Sequence, residues 1–562
     1  MIWSLHGRRG TAGLAGAAAV VVATAVAAAG LLPREHPGPQ GDGTAITPVG
    51  QRVTPAGSQL KLEERPYGMA LSPDGARLLV SNAGVDTQSV MLVDVDAQEI
   101  VDEVEYESPE SSTLGVAFSP DGSHAYVSAG PNNAIRAFKV DESGLTELNP
   151  ISLTTKDAWP AGISVSDDGR RLYVAGEIAN ALLIVDVESG RETRVRLNSR
   201  RCPALQQGFD ASNGHACNFA YATALAHDGA TAYVSNWGKR SVSVVDTQSA
   251  RLVKTVRVGT HPSAMALNPV NDELYVANSD SDSVSVIDTD KNRVVRTISV
   301  RPYPGAQVGT SANALAVSPD GKALYVANAG NNDVAVVELA EAGGGPDRIE
   351  GLIPTAWYPT GVAVSPEGGG LYVVNAKGLG AGPNPGGPVP TKDPESAPGQ
   401  YIGSMIEGTL STIAVPDEEE LAGYTQQVAE NNDFGGGLEK AAAVLENIKH
   451  VIYVINENRT YDQVLGDLPQ GNGDPSLTLF GSDVAPNHHK LAQQFTTLDN
   501  LYAAGESSND GWEWSQRPTP TPSIRRAGRR STADAASSIP QKATPWRRHP
   551  DATRITPTSG MP

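Results

Sequence analysis

A pattern of about thirteen residues occurs seven times in this chain, and it limits the fold more than any other feature. Its clearest copy is Ala316-Val317-Ser318-Pro319-Asp320-Gly321-Lys322-Ala323-Leu324-Tyr325-Val326-Ala327-Asn328. Related copies run over 70–82, 117–129, 164–176, 225–236, 266–278 and 363–375. The residues at the tyrosine position are Leu79, Tyr126, Tyr173, Tyr233, Tyr275, Tyr325 and Tyr372, separated by 47, 47, 60, 42, 50 and 47 positions. Repetition at about 40–50 residues means a propeller or a solenoid. The local chemistry selects the propeller. Each copy reads as strand, Asp-Gly turn, strand, Asn/Gly-rich turn and a third strand such as Val284-Ser285-Val286-Ile287-Asp288. Asp-Gly tolerates the positive φ of a tight hairpin, and the alternating β-branched and aromatic residues suit strands half-buried between sheets. A fourth strand, as in 252–258, precedes the next copy, and four strands per repeat make a blade. The expected fold is therefore mainly β, a seven-bladed β-propeller over residues 50–416.

The repeated Leu-Tyr-Val-Ala-Asn (324–328) and Val-Ser-Val-Ile-Asp (284–288) segments resemble those of the YVTN-type surface-protein β-propellers. That resemblance covers about 365 residues and implies the fold; it names no activity, because propellers host many.

Two insertions interrupt the period. One carries Cys202 and Cys217, the chain's two cysteines, which exclude a disulfide scaffold and a Cys-rich zinc module. In an oxidising compartment they are expected to pair, closing a loop of about 15 residues worth roughly 3 kcal/mol. The competing reading is a Cys/His metal site with His215, which has three candidate ligands and no metal spacing. The other insertion, 378–403, is Gly/Pro-rich, and a loop of that length is functional or mobile. The strand at 408–415 is expected to complete the last blade.

The N-terminus, residues 1–32, pairs a short basic region containing Arg8-Arg9 with an uncharged Ala/Val-rich run from Thr11 to Leu32. This is the shape of a secretory signal with a small-residue cleavage neighbourhood at 27–30. Uncleaved, the run is long enough to anchor the protein in a bilayer. Either way the chain is expected to be secreted, periplasmic or cell-surface, touching membrane only through that segment if it is retained; residues 33–49 read as a linker.

After Pro416 the pattern changes. Residues 417–447 read as a helical linker: acidic Asp417-Glu418-Glu419-Glu420 suits a helix N-terminus, a Gly435-Gly436-Gly437 joint follows, then a short helix over 438–447. Val451-Ile452-Tyr453-Val454-Ile455 reads as a buried parallel strand, ending in polar Asn456-Glu457-Asn458-Arg459 where open α/β sheets place their chemistry. The whole run from Lys449 to Asp462, with Gly471-Asn472-Gly473-Asp474-Pro475 and Leu498-Asp499-Asn500-Leu501-Tyr502, resembles the phosphoesterase family of bacterial phospholipases C and acid phosphatases, within the alkaline-phosphatase superfamily. Chains joining such a propeller to such a domain form a recognisable bifunctional group. The resemblance implies that 448–515 is the N-terminal part of an α/β, alkaline-phosphatase-like domain. It implies that Glu457 and Asn458 hold a catalytic divalent metal ion of unknown identity, and that Ser508, or Ser507 one position away, is the nucleophile for a phosphate-ester substrate. His488 and His489 are further candidate ligands, against a structural role.

Charge divides the chain in the same way. The formal charge is −20 overall, but 516–562 contains eight Arg and one Lys against two Asp, a local +7 that leaves −27 on the remainder. So acidic a body disfavours a nucleic-acid partner. The Arg/Pro-rich tail departs from the phosphoesterase resemblance and reads like a GC-rich gene in the wrong frame. The expectation is a chain frameshifted near Ser515, disordered beyond it, with an incomplete catalytic domain; the rival is a genuine basic arm for anionic surfaces. Two functions of different class follow: an exported metal-dependent phosphoesterase, ancestral in activity and impaired here, or a non-catalytic propeller that binds or scaffolds.

Overall fold

A computed structural model describes residues 35–197, 218–340, 345–384, 387, 399–434, 448–456 and 459–506. Seven antiparallel blade sheets follow one another, as the repeat predicts, six of four strands and one of five. Blade 1 spans 66–106, blade 2 116–152, blade 3 160–196, blade 4 220–257, blade 5 262–299 and blade 6 312–354. In blade 2 the outermost position is shared by two short strands, Gly144–Glu147 and Ile151–Ser152.

Blade 7 is assembled differently from the expectation. Glu407–Ala414 is its third strand, and the fourth comes from the N-terminal side of the chain, Ser58–Glu64. Residues about 350 positions apart are thereby paired, for example Leu60 with Leu410. This closes the ring with backbone hydrogen bonds and leaves no edge strand at the seam.

The seven repeated positions all lie on second strands and all are buried. Their neighbours form one apolar cluster per blade–blade joint. Tyr275, Val284 and Val286 of blade 5 pack with Leu324, Val326 and Ala335 of blade 6, and Leu78 and Met91 of blade 1 pack with Tyr372 and Leu410 of blade 7. The Asn that ends the second strand has a specific task. Asn82, Asn236, Asn278 and Asn375 are fully buried, and each Nδ2 donates to a third-strand serine (Ser89, Ser243, Ser285, Ser411) at 2.8–3.0 Å. A buried amide needs such a partner, which explains why Asn and Ser recur together.

The Asp-Gly turns also work differently from a two-residue hairpin. Gly75 alone takes positive φ (77°), and its amide donates to the Ser72 carbonyl. Asp74 accepts from Ser72 Oγ and the Ala76 amide, at 2.5 and 3.1 Å. The same clamp recurs at Asp121, Asp168 and Asp320.

Beyond the ring, the acidic stretch forms the expected helix, Glu418–Asn431, with Asp417 and Glu420 in a reciprocal capping box. It packs on the outer strand of blade 6, with Val428 buried there and Thr425 Oγ1 accepting from the Leu352 amide at 2.9 Å. Gly351 permits this approach, since a Cβ there would stand 2.5 Å from Leu421 Cγ. The expected parallel strand at 451–455 is not formed. These residues are without strand pairing and exposed, Ile452 by 91%. A strand of that kind needs a neighbour on each side and a layer on each face, and the described residues offer it none.

Candidate functional site

Six blades begin their innermost strand from a residue in the left-handed backbone region. These are Arg65, Trp159, Phe219, His261, Ser311 and Tyr358, with φ between 49° and 66°. Such a conformation costs a bulky residue about 1–3 kcal/mol unless its surroundings impose it. Here the repeat imposes it. The carbonyls of the first five accept from Ala83, Glu177, Trp237, Ser279 and Ala329 amides, at 2.9–3.2 Å, just beyond the second strand of the same blade. Innermost strands line the axis of a propeller, so the six residues ring one end of it. Tyr67 of blade 1 and Tyr221 of blade 4, both on innermost strands, meet hydroxyl to hydroxyl at 3.3 Å.

Two polar side chains stand on this face. Lys377, at the end of the second strand of blade 7, is only 4% exposed. Its Nζ lies 4.2 Å from the centre of the Trp357 ring and 5.7 Å from that of Tyr358, and it forms an ion pair with Glu506. Aromatic faces stabilise a desolvated cation through their quadrupoles, and Glu506 supplies the opposite charge. The second group is His261 of blade 5, whose Nδ1 stands 2.5 Å from Asp280 Oδ2 and whose ring tilts over Trp237 at 4.6 Å. Beside it a cavity of about 740 Å³ opens between blades 4 and 5.

Of the residues singled out by sequence, Glu457, Asn458, Ser507, Ser508, Cys202, Cys217 and His215 lie outside the described residues, as does the N-terminal segment. His489 is structural: it is 4% exposed, its Nε2 is 2.6 Å from Asp467 Oδ1 and its Nδ1 is 2.9 Å from the Ala485 carbonyl. With both ring nitrogens engaged, it has none left for a metal. His488 Nε2 stands 3.3 Å from Asn456 Nδ2. Among the described residues no group of three His, Cys, Asp or Glu side chains is placed to hold a metal ion, and no helix is long and apolar enough to cross a membrane. Lys377 and the left-handed ring were missed from sequence. The ring's signal was available, since Arg65, Trp159, His261 and Tyr358 each precede a proline at the same place in the repeat.

Residues 46–201, 196–295 and 293–378 match the family described as lactonase, 7-bladed beta-propeller. The chain belongs to that lactonase family. The match spans six blades and part of the seventh, including the whole left-handed ring. No curated protein matches this lactonase-family chain. Among solved structures, Kuenenia stuttgartiensis hydrazine synthase is similar at 21% identity, over 56% of this chain and 94% of that one, with a TM-score of 0.45. The Myceliophteria thermophila Cps50 (Swd1) β-propeller domain is similar at 13% identity, over 64% and 99%, with a TM-score of 0.45. Staphylococcus aureus virginiamycin B lyase is similar at 13% identity, over 63% and 98%, with a TM-score of 0.43.

Proposed function

We propose that this is an exported propeller protein whose C-terminal segment derives from a metal-dependent phosphoesterase, with the propeller serving as the platform on which that segment sits. The observation that carries this reading is the ion pair between Lys377 at the propeller mouth and Glu506, two residues before Ser508. A buried cation held by two aromatic rings is a fixed point of attachment, and it holds Glu506 there. In this reading Glu457 and Asn458 would hold a divalent cation, which would supply charge stabilisation to a phosphoryl oxygen, and Ser508 would attack phosphorus, expelling the ester's alcohol and leaving a phosphoserine that water hydrolyses. Its test is turnover of an aryl phosphate ester with added divalent metals, by parent and Ser508→Ala. Turnover that Ser508→Ala abolishes supports it. No turnover with any metal leaves a binding or scaffolding propeller without catalysis.

A second reading has its own support. Membership of the lactonase family and the hydrogen-bonded His261–Asp280 pair beside a cavity suit ring-opening of a lactone, with His261 as general base oriented by Asp280. Lactone hydrolysis abolished by His261→Gln and indifferent to Ser508→Ala supports that reading over the first.

A further inference from the structure

Two joints of the propeller depart from a rule that the other five follow: that of blade 4, and that of blade 7, where the pairing Asn375–Thr409 puts Gly408, which has no side chain, at the equivalent place. The rule concerns the residue just before each third strand, located by the pairings Asn82–Ser89, Ala129–Ala134, Gly176–Ala181, Asn236–Ser241, Asn278–Ser283 and Asn328–Asp333. In five blades that residue carries a side-chain oxygen that reaches the next blade. Gln88 accepts from the Ser112 amide at 3.3 Å. Asn133 accepts from Ala158 and Trp159 at 2.7 and 3.3 Å, and Asn180 from Asn218 and Phe219 at 2.8 and 3.3 Å. Asp282 accepts from Gly309 and Ser311 at 2.8 and 3.0 Å, and Asn332 from Tyr358 at 3.0 Å. Each of these oxygens latches the backbone that leads into the following blade.

In blade 4 the residue at this position is Arg240. Its backbone keeps the common role, because its carbonyl accepts from Val258 at 3.0 Å as that of Asn180 does from Leu197. Its guanidinium has only donors, so it cannot latch the segment leading into His261. That is where the cavity of about 740 Å³ lies.

The lining has the character of a binding site. Lys239, Arg240 and Arg257 bring three cations to it, and among the described residues no Asp or Glu lines it. None of the three belongs to an ion pair among the described residues. Trp237 also lines the cavity, and its Nε1, buried, has no hydrogen-bond partner among the described residues. The Trp237 and His261 rings, 4.6 Å apart between centres and inclined at 35°, stand beside these donors.

We infer that the cavity between blades 4 and 5 is a binding site for a small organic anion, a flat apolar body bearing a carboxylate or phosphate group. The anion's oxygens take hydrogen bonds from Arg240, Arg257, Lys239 and Trp237 Nε1, and its body lies against the two rings. Charge-assisted bonds from several cations in a partly enclosed site are the strong kind. The inference uses none of the C-terminal residues, so it stands or falls apart from the phosphoesterase reading.

The test is calorimetric titration of the full chain with phenylphosphonate, which no phosphoesterase centre can hydrolyse, alongside benzoate and the neutral control benzyl alcohol. Binding of either anion but not the alcohol is expected, and the relative affinity of the two identifies the anionic group. Arg240→Asn installs the residue that other joints use. It should weaken binding about tenfold or more with no fall in Tm, and Arg257→Gln should weaken it in the same direction. Absence of binding by both anions at millimolar concentration, equal binding of benzyl alcohol, or unchanged affinity in both variants would overturn the inference.

Discussion

Val284-Ser285-Val286-Ile287 in blade 5 and Val451-Ile452-Tyr453-Val454-Ile455 beyond the propeller are both short, β-branched and bounded by polar residues. The first is buried to within 2% of complete. The second is 39–91% exposed and has no strand partner. The difference lies in what surrounds each run. In blade 5 a flanking strand pairs on either side, and the neighbouring blades cover both faces. Strand propensity mostly measures fitness for such a half-built surface, and without that surface the same residues stay in solvent.

The largest test of this contrast is paired truncation. Tyr275→Ala removes a fully buried ring at the joint of blades 5 and 6 and should cost about 3–5 kcal/mol in denaturant unfolding. Ile452→Ala should stay within about 0.5 kcal/mol. A comparable loss from both would mean that 451–455 is packed in solution.

Next in size is a carboxyl placed where the other blades carry Ser, Ala or Thr. Asp333 is fully buried, and burial pushes its carboxyl up to about 7, against the opposing hydrogen bond from Asn328. Because the folded value lies above the unfolded one, the native state binds the extra proton. Stability is therefore full below about pH 4 and is lost as pH rises towards 7. Asp333→Ser, which copies Ser241 and Ser283, should flatten that slope and stabilise the propeller by a few kcal/mol at pH 8. A stability profile unchanged between pH 4 and 8 would show that the carboxyl titrates normally.

A smaller effect compares two joints. Asn180→Ala strips the latch from the Asn218 and Phe219 amides and should cost about 1–3 kcal/mol, whereas Arg240→Asn should cost nothing. Equal losses would show that the latch contributes no stability.

The smallest lies in the C-terminal segment. The hydrogen bond to Asp467 raises His489 above its usual range, and the same bond lowers Asp467. The raised histidine contributes fully below about pH 6.5 and less as pH rises through its folded value; the lowered aspartate contributes above about pH 4 and is lost as pH falls. The pair should hold this segment best between those limits, by about 0.5 kcal/mol or less. Nuclear magnetic resonance of the His489 ring would follow it, with propeller Tm unchanged in His489→Gln.

Much of the propeller is legible in the sequence, because its determinants are local and repeated. The Ser-Pro-Asp-Gly turn at 318–321 needs only neighbouring residues, and so does the Asp417–Glu420 capping box. The spacing of six tyrosines and Leu79 carries the blade count. The candidate site is less legible. The prolines at 66, 160, 262 and 359 mark the ring once their shared place in the repeat is seen, but nothing local brings Lys377 to Glu506.

What the sequence by itself determined is thus the repeating unit and its number, since strand, turn and buried Asn–Ser pairs are set within about 50 residues. Tertiary structure alone decided three things: that Ser58–Glu64 closes blade 7, that the left-handed residues of six blades stand at one end of the axis, and that the joint after Arg240 has no side-chain latch. Each depends on residues far apart in the chain being brought together by ring closure. No local pattern encodes such a meeting, because its energy exists only after the blades have docked.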